Sequence, residues 1–195
     1  MRKIFELTKP FIVAFIIIML LQVTGLFGDV AALTQQAALS TGLMNVTIPS
    51  EDKNLQDFDY GFTMKDSLGN RFNADQFKGK VIFLNLWATW CGPCRAEMPA
   101  IHKLYDQVRD ERIVFIMLSI DKDQAIQKVK AYVRKKKYTF PVYMPSGYLT
   151  DQLNVPSIPT TFVISKDGKI MMKEVGTKNY NTDKFRKFLN DLASK

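Results

Sequence analysis

The chain alternates between apolar runs and polar breaks, and the period of each run predicts its conformation. Lys80-Val81-Ile82-Phe83-Leu84-Asn85-Leu86-Trp87 is almost continuously apolar, the pattern of a central strand covered on both faces. Residues 113–120 repeat it. Between the two, Ile101, Leu104, Tyr105 and Val108 recur at helical spacing, so a helix is predicted from about 93 to 109, bent by the internal Pro99. A second amphipathic stretch over 123–137 turns Ile126, Val129, Ala131 and Val133 inward. Strand–helix–strand–helix order at this spacing implies parallel strands joined by right-handed crossovers. Upstream, residues 58–63 alternate as a strand does, and Ser67-Leu68-Gly69-Asn70 reads as the turn of a hairpin. Downstream, 160–165 and 170–176 flank Asp167-Gly168 as an antiparallel hairpin, and Phe185, Phe188, Leu189 and Leu192 mark a closing helix. The expected architecture is α/β: a central mixed sheet with helices on both faces and an N-terminal hairpin extension.

The pattern also divides the chain. Arg2, Lys3 and Lys9 precede an apolar run over 11–27, interrupted only by Gln22, Thr24 and Gly25. Such a segment exports the domain behind it, either as an uncleaved membrane anchor helix or as a signal peptide removed near Val30-Ala31-Ala32. Residues 1–43 are therefore read as a signal or anchor segment, 44–57 as a polar linker and 58–195 as one domain. Composition adds little: 47% hydrophobic and 24% charged residues are ordinary for a globular chain. The net charge of +8 is scattered, apart from Arg134-Lys135-Lys136-Lys137 near a helix end, where cations suit the dipole. No basic stripe interleaved with aromatics is present, so nucleic acid is not an expected partner.

The chemistry lies in Cys91-Gly92-Pro93-Cys94, which holds the only two cysteines. It stands where the first buried strand gives way to the first helix. A cysteine at a helix mouth meets unpaired N–H groups and the positive end of the dipole, both of which favour the nucleophilic thiolate. A disulfide between residues three apart encloses so small a loop that it is a poor staple. The pair is therefore read as redox-active, with Cys91 the exposed nucleophile and Cys94 the buried resolving thiol. Pro93 presets the first helical turn. With two cysteines and one histidine, His102, the chain lacks the four ligands of a structural zinc or iron–sulfur site. Arg95 stands where haem attachment needs histidine. Neither a metal nor a cofactor is expected. Glu97 falls on the same helical face as Cys94, one turn on, either as a solvent-facing charge or as a proton carrier for thiol exchange. His102 lies off the cysteine face and reads as a packed or surface residue.

The segment from Phe83 through Cys91 and Cys94 to Pro99 resembles the active-site stretch of thioredoxin-fold proteins, and more narrowly that of TlpA/ResA-type reductases. Asp121, the Val155-Pro156-Ser157-Ile158-Pro159-Thr160-Thr161 stretch and Asp167-Gly168 extend the likeness over roughly 55–195. The resemblance implies a thioredoxin fold and a cis Ile158-Pro159 bond lying against the cysteines. It also implies a groove bordered by Trp90, Gly92, Pro93, Ile158 and Pro159 that takes an extended substrate. Asn85 stands where thioredoxins proper carry a buried aspartate, and Glu97 stands where the TlpA/ResA type has a glutamate, so the resemblance gives the proton-carrying role to Glu97. It implies a thiol–disulfide oxidoreductase of the cell envelope that reduces exported proteins, for example apocytochrome c. Its electrons would come from a membrane thiol donor. The alternatives are an oxidase or isomerase, a thiol peroxidase-like antioxidant protein, and a non-enzymatic binding module or chaperone on the same fold.

Overall fold

A computed structural model describes residues 2–23, 34, 36–39, 41–42, 44–49, 55–108 and 110–195. The first element is helix α1 (Arg2–Val23), which contains Pro10. The domain continues as β1 (Thr63–Asp66), β2 (Arg71–Asn73), β3 (Val81–Trp87), α2 (Gly92–Gln107), β4 (Ile113–Ser119), α3 (Ile126–Lys136), β5 (Val142–Pro145), β6 (Thr160–Ile164), β7 (Ile170–Val175) and α4 (Asp183–Ser194). The strands form one seven-stranded sheet in the order β2-β1-β5-β4-β3-β6-β7. The pairs β3–β4 and β4–β5 are parallel, and all others are antiparallel.

Strand β3 is buried along its whole length between β4 and β6, as its unbroken apolar run requires. Its residues feed two cores by turns, because successive side chains leave a strand on opposite faces. Val81, Phe83 and Trp87 enter a core with Met98, Ile101 and Leu104 of α2, Val129 of α3, and Phe185 and Leu189 of α4. Ile82, Leu84 and Leu86 enter the other, with Phe58, Phe62, Met64, Ala74 and Leu153. Each such fully buried large side chain contributes about 1.5–3 kcal/mol relative to exposure. Asn85 shares the α2 side of the strand with Phe83 and Trp87.

The expectation of helices on both faces is corrected. The buried residues of α2, α3 and α4 all join the first core, and the second is closed by the hairpin, residues 58–62 and Leu153. The reason is β5, a strand the apolar pattern does not announce. With β5 in place, β3-α2-β4-α3-β5 runs in one direction, and two right-handed crossovers along one direction put both helices on one side. The upstream strand also shifts, to Thr63–Asp66, with Gly69 at φ +92 in the turn after it, a conformation glycine adopts without strain. In α3, Ala131 is exposed rather than inward. Tyr132 takes the packing position instead, its ring 5.8 Å from that of Trp87. Helix α2 runs on through Pro99, and Arg109, its expected end, lies outside the described residues.

At the N-terminus, the apolar side chains from Phe11 to Leu20 stand exposed, yet among the described residues no helix is long and apolar enough to cross a membrane. The expected anchor is therefore not carried by the structure. The candidate cleavage site Val30-Ala31-Ala32 and residues 50–54 of the expected linker lie outside the described residues. Leu39 and Val46 are buried, Val46 within the first core.

Candidate active site

The parallel strands β3 and β4 end side by side, and their C-terminal ends carry the site. Ile120 N–H donates to the Trp87 carbonyl at 2.8 Å, joining the two ends. Buried Asp121 accepts from the Thr89 N–H (2.8 Å), the Thr89 hydroxyl (2.7 Å) and the Ser119 hydroxyl (2.7 Å). This fixes the short turn 88–90, which leaves Trp90 64% exposed and delivers Cys91 to the N-cap of α2.

Cys91 caps the helix through sulfur: its Sγ accepts from the Cys94 N–H at 3.1 Å. No acidic residue stands in the first turn of α2, so nothing there offsets the positive end of the dipole. Cys91 and Cys94 are joined as a disulfide with Cα atoms 5.3 Å apart. Cys91 is 5% exposed and Cys94 1%. In the oxidised state both are therefore buried, and Cys91 is not the exposed residue that the sequence reading expects. The Ile158-Pro159 bond is cis, and the Ile158 carbonyl lies 3.8 Å from Cys91 Sγ. The structure thus places Ile158 and the cis Pro159 bond beside Cys91, with Trp90, Gly92 and Pro93 adjoining the cysteines in the chain.

Behind the sulfurs lies a carboxyl with no exposure at all. Glu97 is 0% exposed; Oε1 accepts from Asn85 Nδ2 at 2.8 Å and Oε2 from the Lys178 N–H at 3.1 Å. Burial pushes its carboxyl up to about 8, against the opposing pull of the Lys178 N–H and the Asn85 amide. Asn85 Nδ2 also donates to Thr161 Oγ1 at 2.9 Å. Tyr180 is fully buried nearby, and desolvation, then the negative charge of Glu97, holds its phenol well above the usual range. Helical spacing points to Glu97, and the family resemblance points to Asn85. Neither finds Thr161, Lys178 or Tyr180, which arrive from β6 and the loop after β7 and carry no local signal.

His102 lies apart, with Nε2 3.0 Å from the Thr139 hydroxyl and its ring against Tyr138 and Phe140. Among the described residues there is no group of three or more histidine, cysteine or acidic side chains able to hold a metal.

A buried acid, a helix-mouth sulfur and a second sulfur one turn on are the parts needed for thiol–disulfide exchange. Known proteins show the same arrangement of sequence. The redoxin family profile matches residues 50–192. The chain is 36% identical over 116 residues to the thiol-disulfide oxidoreductase ResA of Bacillus cereus (strain ZK / E33L), covering 59% of this chain and 66% of that protein. It is 34% identical over 116 residues to the thioredoxin-like protein YneN of Bacillus subtilis (strain 168), covering 60% of this chain and 68% of that one. The match thus spans just under two thirds of ResA and just over two thirds of YneN. Among solved structures, StoA from Bacillus subtilis superposes with a TM-score of 0.53 at 25% identity, over 67% of this chain and 94% of StoA. A thiol:disulfide interchange protein of the thioredoxin family from Chlorobium tepidum TLS shares the fold, with a TM-score of 0.58 at 24% identity over 73% of this chain and 99% of that one. The chain belongs to the redoxin family, as a thioredoxin-fold protein of the ResA type.

Proposed function

We propose that this protein reduces disulfides in proteins outside the cytoplasmic membrane through the Cys91/Cys94 dithiol. The observation that carries the reading is the fully buried Glu97 carboxyl one turn behind a helix-capping cysteine pair. In the reduced protein, the Cys91 thiolate attacks one sulfur of a substrate disulfide, the substrate S–S bond breaks, and the departing sulfur takes a proton. The Glu97 carboxylate accepts the proton of Cys94, whose sulfur then attacks Cys91 Sγ. The Cys91–Cys94 bond forms, the mixed disulfide breaks, and a second substrate thiol leaves. Two electrons pass to the substrate, and the oxidised pair is returned to the dithiol by an external thiol donor at the membrane. The mouth formed by Trp90, Gly92, Pro93, Ile158 and Pro159 holds an extended substrate segment beside Cys91.

The direction rests on Gly92-Pro93, the dipeptide of the reducing members of this fold. Thioredoxin lies near about −270 mV and the oxidant DsbA near about −120 mV. Equilibration with glutathione is expected to place the Cys91/Cys94 couple toward the thioredoxin end. A value near the DsbA end would reassign the protein as an oxidase or isomerase. Apocytochrome c is the substrate to test first, by monitoring the reduction of its haem-binding disulfide.

The placement outside the membrane rests on the cationic start at Arg2, Lys3 and Lys9 and on the exposed apolar helix side chains from Phe11 to Leu20. A helix apolar on all sides belongs in lipid or against a partner. A membrane-impermeant alkylating reagent applied to intact cells should label Cys91 of the reduced protein. Labelling only after lysis would place the domain in the cytoplasm.

A further inference from the structure

The loop after β7 binds a different part of the molecule with each of four successive residues. Gly176 N–H donates to the Pro159 carbonyl at 2.8 Å. Thr177 Oγ1 donates to the Pro93 carbonyl at 3.2 Å. Lys178 N–H donates to Glu97 Oε2 at 3.1 Å. Asn179 turns the other way, toward the segment that precedes the domain. Its N–H donates to the Met44 carbonyl at 2.9 Å, and its carbonyl accepts from Val46 N–H at 3.2 Å. Its Nδ2 reaches Asn45 Oδ1 at 3.0 Å and the Leu39 carbonyl at 3.4 Å.

Leu39 and residues 44–46 are thereby seated rather than passing by. Val46 lies in the core shared by α2 and α4. Leu39 is buried, and with Gln36 it lines a cleft against Ala96, Pro99 and Ala100 of α2. A connector of purely polar character would leave such positions in water. Here two apolar side chains seat the segment, and four hydrogen bonds tie it to Asn179, the residue next to the one whose N–H holds the acid. The Lys178 N–H and the Asn179 N–H are consecutive on the chain, so the position of one constrains the other.

We propose that Leu39 and residues 44–46 form a strap that positions Glu97, acting through Asn179 and the neighbouring Lys178 N–H. The strap lies ahead of the domain in the chain, so it makes the proton chemistry at Cys94 sensitive to how that preceding chain is seated. The proposal deepens the proposed function, since it rests on Glu97 being the acid of the exchange. Asn179, Leu39 and residues 44–46 are positioning residues: none touches a sulfur. Releasing the strap weakens an N–H bond to the carboxylate, which favours the protonated acid and raises the pH at which Glu97 ionises. The charged and titratable groups around Glu97 are the two cysteines on α2, Tyr180 and Lys178 on the loop, and Glu174 on β7, whose carboxylate lies 3.7 Å from Lys178 Nζ. None of them is altered by substitutions in the strap.

The test uses the full chain. Val46→Pro removes the donor to the Asn179 carbonyl, and Leu39→Asn places an uncharged polar group at the far end of the strap. Val46→Ile keeps the N–H and serves as the conservative control. The readout is the ionisation midpoint of Glu97, tracked by its carboxyl stretch in infrared difference spectra against Glu97→Gln. A second readout is the pH profile of disulfide exchange. The midpoint is expected to rise by about one pH unit in either folded strap variant and to stay in place in Val46→Ile. An unchanged midpoint in a folded Val46→Pro or Leu39→Asn protein would overturn the strap. Identical exchange profiles for wild type and Glu97→Gln would instead overturn the role of Glu97, and the infrared midpoint would still decide the strap.

Discussion

Replacing Glu97 by glutamine should change how the stability of the oxidised protein depends on pH. The carboxyl is raised from 4.5 to about 8 on folding, chiefly by burial. Because the folded value is the higher one, the folded state holds the proton more tightly. The stabilisation this gives is complete below pH ~4.5 and is lost as pH rises through about 8. The interval of about 3.5 pH units, at about 1.36 kcal/mol each, corresponds to roughly 5 kcal/mol at most. Wild-type stability should therefore fall steadily from pH 5 to pH 8.5. Glu97→Gln keeps an oxygen for the Lys178 N–H and sets its NH2 against Asn85, whose amide can turn its own oxygen to accept, but it binds no proton, so its curve should lose that slope. The assay is urea unfolding at intervals from pH 5 to 9, monitored by tryptophan fluorescence, with the disulfide intact so that neither thiol titrates. His102 is common to both proteins and cancels in the difference. Asp110, held at about 2 by Arg112, titrates far outside the window. A difference between the two proteins that stays constant from pH 5 to 9 would refute the reasoning, because Glu97 would then be charged throughout.

Cys94→Ser should accumulate mixed disulfides through Cys91, visible as thiol-sensitive adducts on non-reducing gels, whereas Cys91→Ser should accumulate none; the opposite pattern would reverse the two roles. Asn85→Asp in the Glu97→Gln background should restore part of the exchange rate lost near neutral pH, since it returns one titratable acid to the strand beneath the sulfurs. A double variant no faster than Glu97→Gln would show that the acid must stand on the helix. Asp121→Ala strands the N–H and hydroxyl of Thr89 and the hydroxyl of Ser119, at a cost of about 2–4 kcal/mol in urea unfolding. It should also slow exchange by loosening the turn that presents Trp90 and Cys91. Retention of wild-type stability would mean that water replaces the carboxylate.

The parts of the fold legible in the sequence are those set by neighbours along the chain. The buried run of β3 and the helical spacing of Ile101 and Leu104 place the strand–helix junction, and the junction places the cysteines. Strand β5 is hidden because Val142-Tyr143-Met144-Pro145 is short and bracketed by Pro141 and Pro145, which demote a strand. It pairs with β4 through only Met117–Val142 and Leu118–Tyr143. Without it the helices are misplaced as well, since the handedness argument needs every strand in the series. Ala131 reads as inward because alanine fits either environment. Tyr132 gives no such signal, although Trp87 and the Arg95 guanidinium both pack on its ring. Within the site, Glu97 follows from its spacing after Cys94, and Asn85 from the family resemblance. Lys178 and Tyr180 follow from neither, because a loop closes over the acid from a distant part of the chain.

Asn85 has a consequence for where hydrogen ions enter the reaction. Turning a disulfide into two thiols takes up two electrons and two hydrogen ions, yet the interior offers one carrier. Asn85 Oδ1 is buried without a hydrogen-bond partner among the described residues, while Nδ2 donates twice. An amide rotated by half a turn would present that oxygen to a protonated Glu97 and accept from it. One uncharged side chain thus suits the acid in both of its forms without storing a hydrogen ion of its own. With Glu97 as the proposed carrier for Cys94, the second ion is expected to reach Cys91 from bulk water, past the exposed indole of Trp90. The two thiols would then be supplied by different routes, Cys94 from within the protein and Cys91 from the solvent.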